Sequence, residues 1–302
     1  MMQPDDFYLG ADTHWLGKAD VPLMLSHGRL RRAKTLRPAK RKVVIDSRMF
    51  TELSQHGRIT ISPISYVRSL YRYQDEIGLV QWASPQDMMC EPEIIAKTGL
   101  SVLEHQRRTA YNLAELRTLA VEEAPLDGTT GLRRPPIHII AVNQGWLEPD
   151  YERGDDLFWD LVGVDLRQEP VVGIGSVCRR QHLGVVRQIM KRMAERGLRT
   201  HGFGVKLRGL ENYGEYLTSA DSFAWSYGAR KRTTICPHGV VKWERNCPHF
   251  AEDWRNQALA GLARRFDKLG VENVRLDRGS LNLLRFPAQS GRMADKAPAV
   301  AA

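Results

Sequence analysis

Short apolar stretches alternate with longer amphipathic stretches along most of the chain. The apolar stretches that have the length of a β-strand cover residues 7–10, 23–26, 43–46, 78–82, 137–143, 171–175, 201–205 and 222–226. Strands that alternate with helices are typical of a parallel sheet, in which each helix crosses back over the sheet to begin the next strand. Eight such stretches predict an α/β fold of the TIM type, a closed (β/α)8 barrel.

The amphipathic stretches between the strands have clear helix ends. Ser62 precedes a proline and supplies an N-cap, and Ser101 with Glu104 has the sequence of a capping box. Apolar residues then recur at helical spacing up to Gly197 and Gly270, where two of the helices are expected to stop. We interpret these apolar stripes as core-facing helix surfaces and not as cofactor-binding motifs.

The composition fits one globular domain with a short extension. The chain has 302 residues, of which 42% are hydrophobic, so a single large core is expected. We predict one domain over residues 1–270 and a C-terminal extension over 271–302 that is disordered from about residue 288, where Ala, Pro, Ser, Gly and charge dominate. Since no apolar run approaches the ~20 residues of a membrane span, we expect a soluble cytoplasmic protein.

The charge distribution favours a polyanionic partner. The formal net charge is +9, and eight basic residues but no acidic ones lie between Arg29 and Lys42. A solvated loop would explain any one basic run equally well. Because several basic runs follow predicted strands, we interpret them as phosphate contacts with a nucleic acid. The candidate contacts are Arg29, Arg31, Arg32, Lys34 and Arg230.

Polar residues recur where the predicted strands end. In a (β/α)8 barrel this edge carries the active site. Carboxylates accept paired N–H donors, glutamine both donates and accepts, and glycine lets a ring approach the backbone, so the set suits a flat heterocycle with hydrogen-bonding edges. A helix cap or a buried hydrogen bond is the commoner role for any single aspartate. Because several polar residues are predicted at the same edge of the barrel, we favour a binding site formed by Asp46, Asp87, Gln144, Gly175 and Asp221. Phe50 would stack on the bound heterocycle.

Two Cys-Pro-His triplets predict a metal site after the last strand. They place Cys236, His238, Cys247 and His249 within a short segment, residues 236–249, and two thiolates with two imidazoles suit tetrahedral zinc. Such a complete set leaves no open position, which favours a structural role. The alternative is a pair of Pro-His turns with reduced cysteines. We therefore predict a zinc-binding insertion in the barrel.

The order of these motifs resembles the tRNA-guanine transglycosylase superfamily, and its archaeal branch most closely. The resemblance covers roughly residues 7–260 and is carried by Asp46-Ser-Arg-Met-Phe50, Pro85-Gln-Asp87, Asn143-Gln144-Gly145, Gly173-Ile-Gly-Ser-Val177, His201-Gly-Phe-Gly204-Val and Asp221-Ser-Phe-Ala-Trp-Ser. The short length and the pattern Pro-Gln-Asp-x-Met-Cys-Glu-Pro are similar to the phage and bacterial DNA-guanine transglycosylases, which insert 7-deazaguanines into DNA. This resemblance implies a DNA substrate in a bacterial cell or a phage-infected host.

The resemblance also implies roles for the strand-end residues. Asp221 would be the nucleophile that forms a covalent glycosyl intermediate, and Asp46 the general acid and base for the leaving and incoming bases. Asp87 and Gln144 would bind the base edge, Gly175 and the backbone of Val177 its carbonyl side, and Phe50 its face. The target nucleotide would have to leave the helix.

The sequence departs from the superfamily pattern in several places. Asn143 and Trp146 flank Gln144 where Val and Gly are usual. Arg48 and Met49 stand where that pattern has small residues, Gly and then Gly or Ser, so the top of the base pocket must differ. The superfamily's usual metal site is Cys-x-Cys-x-x-Cys with a distant His, so the resemblance supports zinc but not these four ligands.

Two other functions remain open from the sequence. One is the same base exchange on tRNA, although tRNA enzymes of the archaeal type usually carry extra C-terminal RNA-binding domains, for which residues 271–302 offer no room. The other is a zinc-containing nucleic-acid-binding protein without catalysis, which would leave the ordered carboxylates unused. The resemblance implies a 7-deazaguanine such as 7-cyano-7-deazaguanine as the incoming base, but the sequence leaves open which one is accepted. It also leaves open whether a partner protein opens the DNA and whether the chain forms a homodimer.

Overall fold

The structure is a computed structural model and describes residues 2–178, 180, 184–232, 234–239 and 241–269. The expected helix stop at Gly270 and the expected extension over 271–302, including its tail from about residue 288, lie outside the described residues.

Eight parallel strands form one curled sheet, as the alternating pattern predicted. They are β1 (Phe7–Ala11), β2 (Leu23–Ser26), β3 (Val43–Asp46), β4 (Val80–Ala83), β5 (Ala141–Asn143), β6 (Val172–Ile174), β7 (Thr200–Gly202) and β8 (Ser219–Ser222). Their order is β4-β3-β2-β1-β8-β7-β6-β5, so the first and last strands of the chain are neighbours. A parallel bridge between Ala83 and Ile139 links the two edges, which is consistent with a TIM-like barrel.

Helices pack around the outside of this sheet. They are α1 (His27–Leu30), α2 (Met49–His56), α3 (Pro63–Ile77), α4 (Pro92–Thr98), α5 (Val102–Glu122), α6 (Glu148–Val162), α7 (Gly184–Glu195), α8 (Leu207–Tyr213), α9 (Ala224–Arg232) and α10 (Pro248–Lys268). Two predicted N-caps are confirmed, because Ser62 accepts from the Ser65 N–H at 3.4 Å and Ser101 from the Glu104 N–H at 3.1 Å. The Glu104 side chain pairs with Arg108 at 2.7 Å instead of completing a capping box.

Most of the buried apolar side chains lie either in a layer between sheet and helices or in a smaller cluster inside the curl of the sheet. Leu53, Met88 and Ile94 form a separate small cluster. The inner cluster is Tyr8, Met24, Val44, Trp82, Ile140, Val142 and Val171, with Phe203 packed against it. Burying a large apolar side chain contributes about 1.5–3 kcal/mol, so this plug stabilises the sheet from within. It also forms a rigid floor beneath the carboxyl ends of the strands.

The prediction of a strand over 222–226 is wrong. The strand is Ser219–Ser222, and α9 begins at Ala224. Trp225 belongs to the outer core, where its indole donates to the Gly10 carbonyl at 2.9 Å and its ring lies 5.2 Å from that of Trp15. A short apolar run can be a strand or one face of a helix, and periodicity does not distinguish them. The correction places Asp221 inside β8, opposite Tyr8 of β1.

Candidate active site

A cavity of about 370 Å³ opens at the carboxyl ends of the strands, and we call it the strand-end cavity. It brings together six of the seven residues predicted for catalysis and base binding: Asp46, Phe50, Asp87, Gln144, Gly175 and Asp221. The exception is Val177, whose side chain is buried in the outer core. Its neighbours Ser176 and Cys178 line the cavity instead.

Asp221 is held by the end of the neighbouring strand. Its Oδ1 atom accepts the Gly204 N–H at 2.9 Å and lies 3.4 Å from Nε2 of His201. His201 is fully buried, and its Nδ1 atom lies 2.8 Å from the Ser219 hydroxyl. The imidazole also packs edge-on against Trp82, with ring centres 4.9 Å apart. These contacts fix the rotamer of the Asp221 carboxylate.

The interpretation of the sequence missed His201. A histidine in a buried strand is most often a core residue, and the motif His201-Gly-Phe-Gly204-Val implied no role for it. The signal lies in the strand register: His201 on β7 pairs with Ser219 on β8, and Asp221 is two residues further along. Since side chains two residues apart share one face of a strand, His201 and Asp221 point into the same space.

Asp46 ends β3 and faces the same cavity. Burial raises the pKa of its carboxyl group to about 6, the charge of Asp221 adds to this, and hydrogen bonds from the Arg48 N–H and the Ser26 hydroxyl oppose it. A carboxyl group with a pKa close to neutrality can both release and accept a proton at physiological pH. Asp46 therefore has the acid strength that a general acid and base needs.

A buried hydrogen-bond network forms the far end of the cavity. The Gln144 amide donates to the Asp87 carboxylate, and its Oε1 atom lies 2.8 Å from the Ser176 hydroxyl. That hydroxyl also lies 2.9 Å from the Glu91 carboxylate and accepts the Cys90 N–H at 2.8 Å. Burial raises the pKa of Asp87 to about 7. The sequence analysis did not single out Ser176 or Glu91, whose partners are distant in the chain.

Gly175 makes room for this network. A Cβ atom at this position would overlap the amide group of Gln144. The backbone is fixed on its other side, because the Tyr151 hydroxyl donates to the Gly175 carbonyl at 2.7 Å. Only glycine lets the strand pass directly behind the Gln144 amide.

Aromatic rings form the sides of the cavity. They belong to Phe50, Phe203 and Phe223. Phe223 sits against Gly10, where an added Cβ would come within 2.6 Å of the ring. Flat apolar walls around a polar end suit a planar base with hydrogen-bonding edges.

The predicted phosphate contacts are only partly brought together. The guanidinium groups of Arg29 and Arg230 lie 5.6 Å and 5.5 Å from the centre of the Phe223 ring, which lines the strand-end cavity, and Arg29 lines that cavity too. Arg32 lines a second cavity beside it. Arg31 and Lys34 are exposed and line neither cavity.

Comparison with protein families identifies the chain. A family model described as DpdA, DeoxyPurine in DNA protein A, matches residues 2–279. The chain belongs to this family. DpdA proteins are DNA-guanine transglycosylases related to tRNA-guanine transglycosylase, so the resemblance seen in the motifs is confirmed over nearly the whole chain. None of the curated proteins compared with the chain matches it.

This DpdA chain also has a group of side chains that could hold a metal ion. The donor atoms of Cys236, His238 and Cys247 lie within 4.8 Å of one another. The fourth predicted ligand, His249, is outside this group, with its ring centre 5.4 Å from that of His238. Burial alone would raise the pKa of the Cys236 thiol, but hydrogen bonds from Cys247, His238 and the backbone lower it to about 7, and a thiolate is the form that binds metals.

The surroundings of the group fit a structural metal. Nε2 of His238 lies 3.6 Å from a carboxylate oxygen of Asp253, leaving Nδ1, 3.4 Å from the Cys247 sulfur, on the metal side. Cys247 is also the N-cap of α10, since its sulfur accepts the Phe250 N–H at 3.5 Å. The group thus joins the segment after α9 to the start of α10.

The described residues include no helix that combines the length and the apolar character needed to cross a membrane.

Proposed function

We propose that this DpdA protein exchanges guanine in DNA for a 7-deazaguanine, such as 7-cyano-7-deazaguanine, through a covalent intermediate on Asp221. The observation that carries the proposal is that Asp46 and Asp221 line one cavity whose far end holds Asp87 and Gln144. Two carboxyl groups next to a site for a hydrogen-bonding ring are what base exchange requires. We assign residues 1–270 to a single catalytic domain with the fold of a (β/α)8 barrel.

The first half of the reaction removes guanine. The Asp221 carboxylate attacks C1′ of the deoxyribose, and the bond from C1′ to N9 of guanine breaks. The electron pair of that bond leaves with the base, which takes a proton from Asp46. The pKa of Asp46, raised to about 6, leaves part of this group protonated near neutral pH. The product is a glycosyl ester of Asp221.

The second half installs the new base. Asp46, now a carboxylate, accepts the N9 proton of the incoming 7-deazaguanine, whose N9 attacks C1′ and releases Asp221. Each displacement inverts the anomeric carbon, so two displacements retain its configuration. The proton that Asp46 gave to guanine is replaced by the one from the incoming base, so Asp46 ends protonated, as it began, and the cycle is balanced.

The network at the far end of the cavity supports selection of a guanine-type edge. N1–H and the 2-amino group of guanine are adjacent donors, which one carboxylate such as Asp87 can accept together. The amide of Gln144 and the backbone around Gly175 and Val177 would donate to the 6-carbonyl, and Phe50 would stack on the ring. In adenine the corresponding donors and acceptors are exchanged, so adenine would leave Asp87 and Gln144 without partners.

The substrate has to be presented as a flipped or single-stranded nucleotide, because the cavity holds a base and not a base pair. The positions of Arg29 and Arg230 beside Phe223 support binding of the strand, and Arg31, Arg32 and Lys34 would contribute more distant phosphate contacts. A partner that opens the duplex and a second copy of the chain remain proposals that rest on the sequence alone.

We further propose that the metal is zinc. Two thiolates and an imidazole are ligands that zinc favours, and Cys236, His238 and Cys247 would hold it. His249 would complete the tetrahedral set after a rotation of its side chain. The ion would fix the start of α10 and take no part in base exchange.

The experiment that tests this function measures incorporation of labelled guanine into duplex DNA, single-stranded DNA and unmodified tRNA. We expect label in DNA, loss of exchange in Asp221→Asn, and no loss in Asp160→Asn, which changes an exposed carboxylate on α6. Wild-type protein should also form a denaturation-resistant adduct with DNA that Asp221→Asn lacks. Incorporation into tRNA alone would favour the tRNA enzyme, and binding without any incorporation the non-catalytic protein.

A further inference from the structure

A second cavity adjoins the strand-end cavity, and one of its charged lining residues, Arg48, has no role in the exchange reaction described above. It has a volume of about 750 Å³, and we call it the arginine cavity because Arg29, Arg32 and Arg48 line it. Ser26, Arg29, Asp46 and Phe50 line both cavities, so the two spaces are contiguous.

Arg48 enters this cavity from an unusual backbone conformation. Its φ and ψ angles are 70° and 23°, in the left-handed region that non-glycine residues rarely adopt. Such a conformation costs free energy and persists where the surrounding structure requires it, often at binding sites. Here it lets the Arg48 N–H donate to the Asp46 carboxylate while the side chain extends into the arginine cavity.

Gly28 provides the surface over which the Arg48 side chain lies. A Cβ atom at Gly28 would overlap Cδ of Arg48 and would come within 2.7 Å of its Nε and 2.9 Å of its Nη1. The close approach of the Gly28 backbone therefore restricts the position of the Arg48 guanidinium. The left-handed backbone of Arg48 and the absence of a Cβ atom at Gly28 are two separate features, and both are needed to hold the guanidinium in this position.

The remaining charges of the cavity leave it positive. Asp12 is paired with Arg29. Within the described part of the chain, neither Arg32 nor Arg48 forms an ion pair. Asp46 is the other carboxyl group of the lining, and burial raises its pKa. Hydroxyl groups of Thr13 and Thr51 add neutral donors to the lining.

We propose that the arginine cavity binds the phosphodiester backbone next to the target guanosine, with Arg48 as the residue that positions that phosphate. The inference rests on the proposed function, since it takes a DNA strand as the ligand. In the proposed complex the base lies against Asp87 and the sugar beside Asp46. The phosphates attached to that sugar would then lie near Asp46, where the arginine cavity adjoins the strand-end cavity. A guanidinium donates two parallel hydrogen bonds to a phosphate, which fixes its orientation as well as its position.

The test measures binding of a single-stranded oligonucleotide with one central guanosine over a range of salt concentrations. Arg48→Gly removes the guanidinium and relieves the left-handed strain. We expect affinity to fall about tenfold, and the slope of log Kd against log salt to fall by about 0.7–1. The unfolding midpoint should be unchanged or roughly 1–3 °C higher. A variant that is more stable yet binds more weakly cannot be explained by misfolding.

Two further variants separate the effect of the position of the Arg48 guanidinium from the effect of the protein's net charge. Gly28→Ala keeps the charge and displaces the guanidinium, so it should lose most of the affinity that Arg48→Gly loses. Arg58→Gly removes one charge from an exposed arginine that lines neither cavity, and it should bind like the wild type. Equal losses in Arg48→Gly and Arg58→Gly would overturn the proposal.

A second oligonucleotide identifies the contacted group. In it, methylphosphonates replace the two linkages that flank the guanosine and so remove their charge. Wild type and Arg48→Gly should bind this oligonucleotide equally well, whereas a tenfold difference that persists would contradict a phosphate contact. Guanine incorporation is measured separately. If the effect of Arg48→Gly on binding disappears with the methylphosphonates but no guanine is incorporated, the phosphate site is supported and base exchange is contradicted. If guanine is incorporated normally but the effect of Arg48→Gly does not depend on the two phosphates, base exchange is supported and the phosphate site is contradicted.

Discussion

Nε2 of His201 lies 3.4 Å from Oδ1 of Asp221, the same oxygen that accepts the Gly204 N–H at 2.9 Å. Among the described residues this buried Nε2 atom has no hydrogen-bond partner. Both of these contacts are made at one oxygen, so the other oxygen is the one that would attack C1′ in the proposed reaction. We expect His201 to be a positioning residue, because it would act through Asp221 and not on the substrate.

Replacing His201 should slow formation of the covalent intermediate. The 3.4 Å contact with Asp221 is not a hydrogen bond in the free protein, but such contacts tighten when substrate binds. A hydrogen bond to a charged group formed at that stage would contribute about 1.5–3 kcal/mol, so we expect His201→Leu to lower the single-turnover rate about 10- to 100-fold with little change in KM for the base. His201→Gln, whose amide can reach the position of Nε2, should recover part of this loss. Equal rates for the Leu and Gln variants at equal thermal stability would mean that His201 only fills the core.

Gly175→Ala should weaken base binding as well as the stability of the fold. The new methyl group would displace the Gln144 amide and break its contacts with Asp87 and Ser176. We expect KM for guanine to rise at least about tenfold, with a loss of roughly 1–3 kcal/mol in the free energy of unfolding.

The control for this variant is Gly184→Ala, at the start of α7. An added Cβ there meets no atom of the described residues within 4 Å, and alanine favours a helix. It should leave KM and stability near the wild-type values. A similar rise in KM in both variants would indicate that the effect of Gly175→Ala is not local to Gln144.

The sequence predicted Asp46 because it ends a short buried run, and parallel strands bring such ends to one edge. Asp221 precedes the run that was predicted as a strand, 222–226, so its place in the site depended on the motif Asp221-Ser-Phe-Ala-Trp-Ser. The sequence did not predict the partners of these residues. The contact between His201 and Asp221 depends on the register of β7 against β8, and the contact between Glu91 and Ser176 joins residues far apart in the chain. Periodicity describes one segment at a time, so it cannot report contacts that only the closed sheet creates.

Metal removal should destabilise the chain without changing the chemistry of exchange. We expect close to one zinc per chain in the wild type, loss of the metal in Cys247→Ser, and a lower unfolding temperature, because Cys247 is both a predicted ligand and the N-cap of α10. Activity should fall only in proportion to the folded fraction. Cys90→Ser, which changes a buried cysteine outside the group, should keep its metal; if it loses zinc equally, the ligand assignment is wrong.

The last prediction concerns the dependence of stability on pH. Burial raises the pKa of Asp87 from 3.8 to about 7 in the folded protein without a bound base. A raised folded-state pKa stabilises the protein while the group is protonated, so this contribution is complete below about pH 4 and is lost as the pH rises through about 7. In Asp87→Asn the group cannot titrate, and its oxygen can still accept from Gln144.

Other carboxylates of the chain have lowered pKa values and act in the opposite direction, Asp127 and Glu123 among them, so the whole stability curve does not isolate Asp87. The difference in free energy of unfolding between Asp87→Asn and the wild type isolates the contribution of Asp87, because the other carboxylates are common to both proteins. From urea unfolding at pH 5 and pH 8, we expect the free energy of unfolding of Asp87→Asn to gain about 2–3 kcal/mol relative to the wild type over this interval. A difference that stays constant with pH would show that Asp87 is already ionised at pH 5, and that a guanine edge meets a carboxylate at every pH at which the enzyme works.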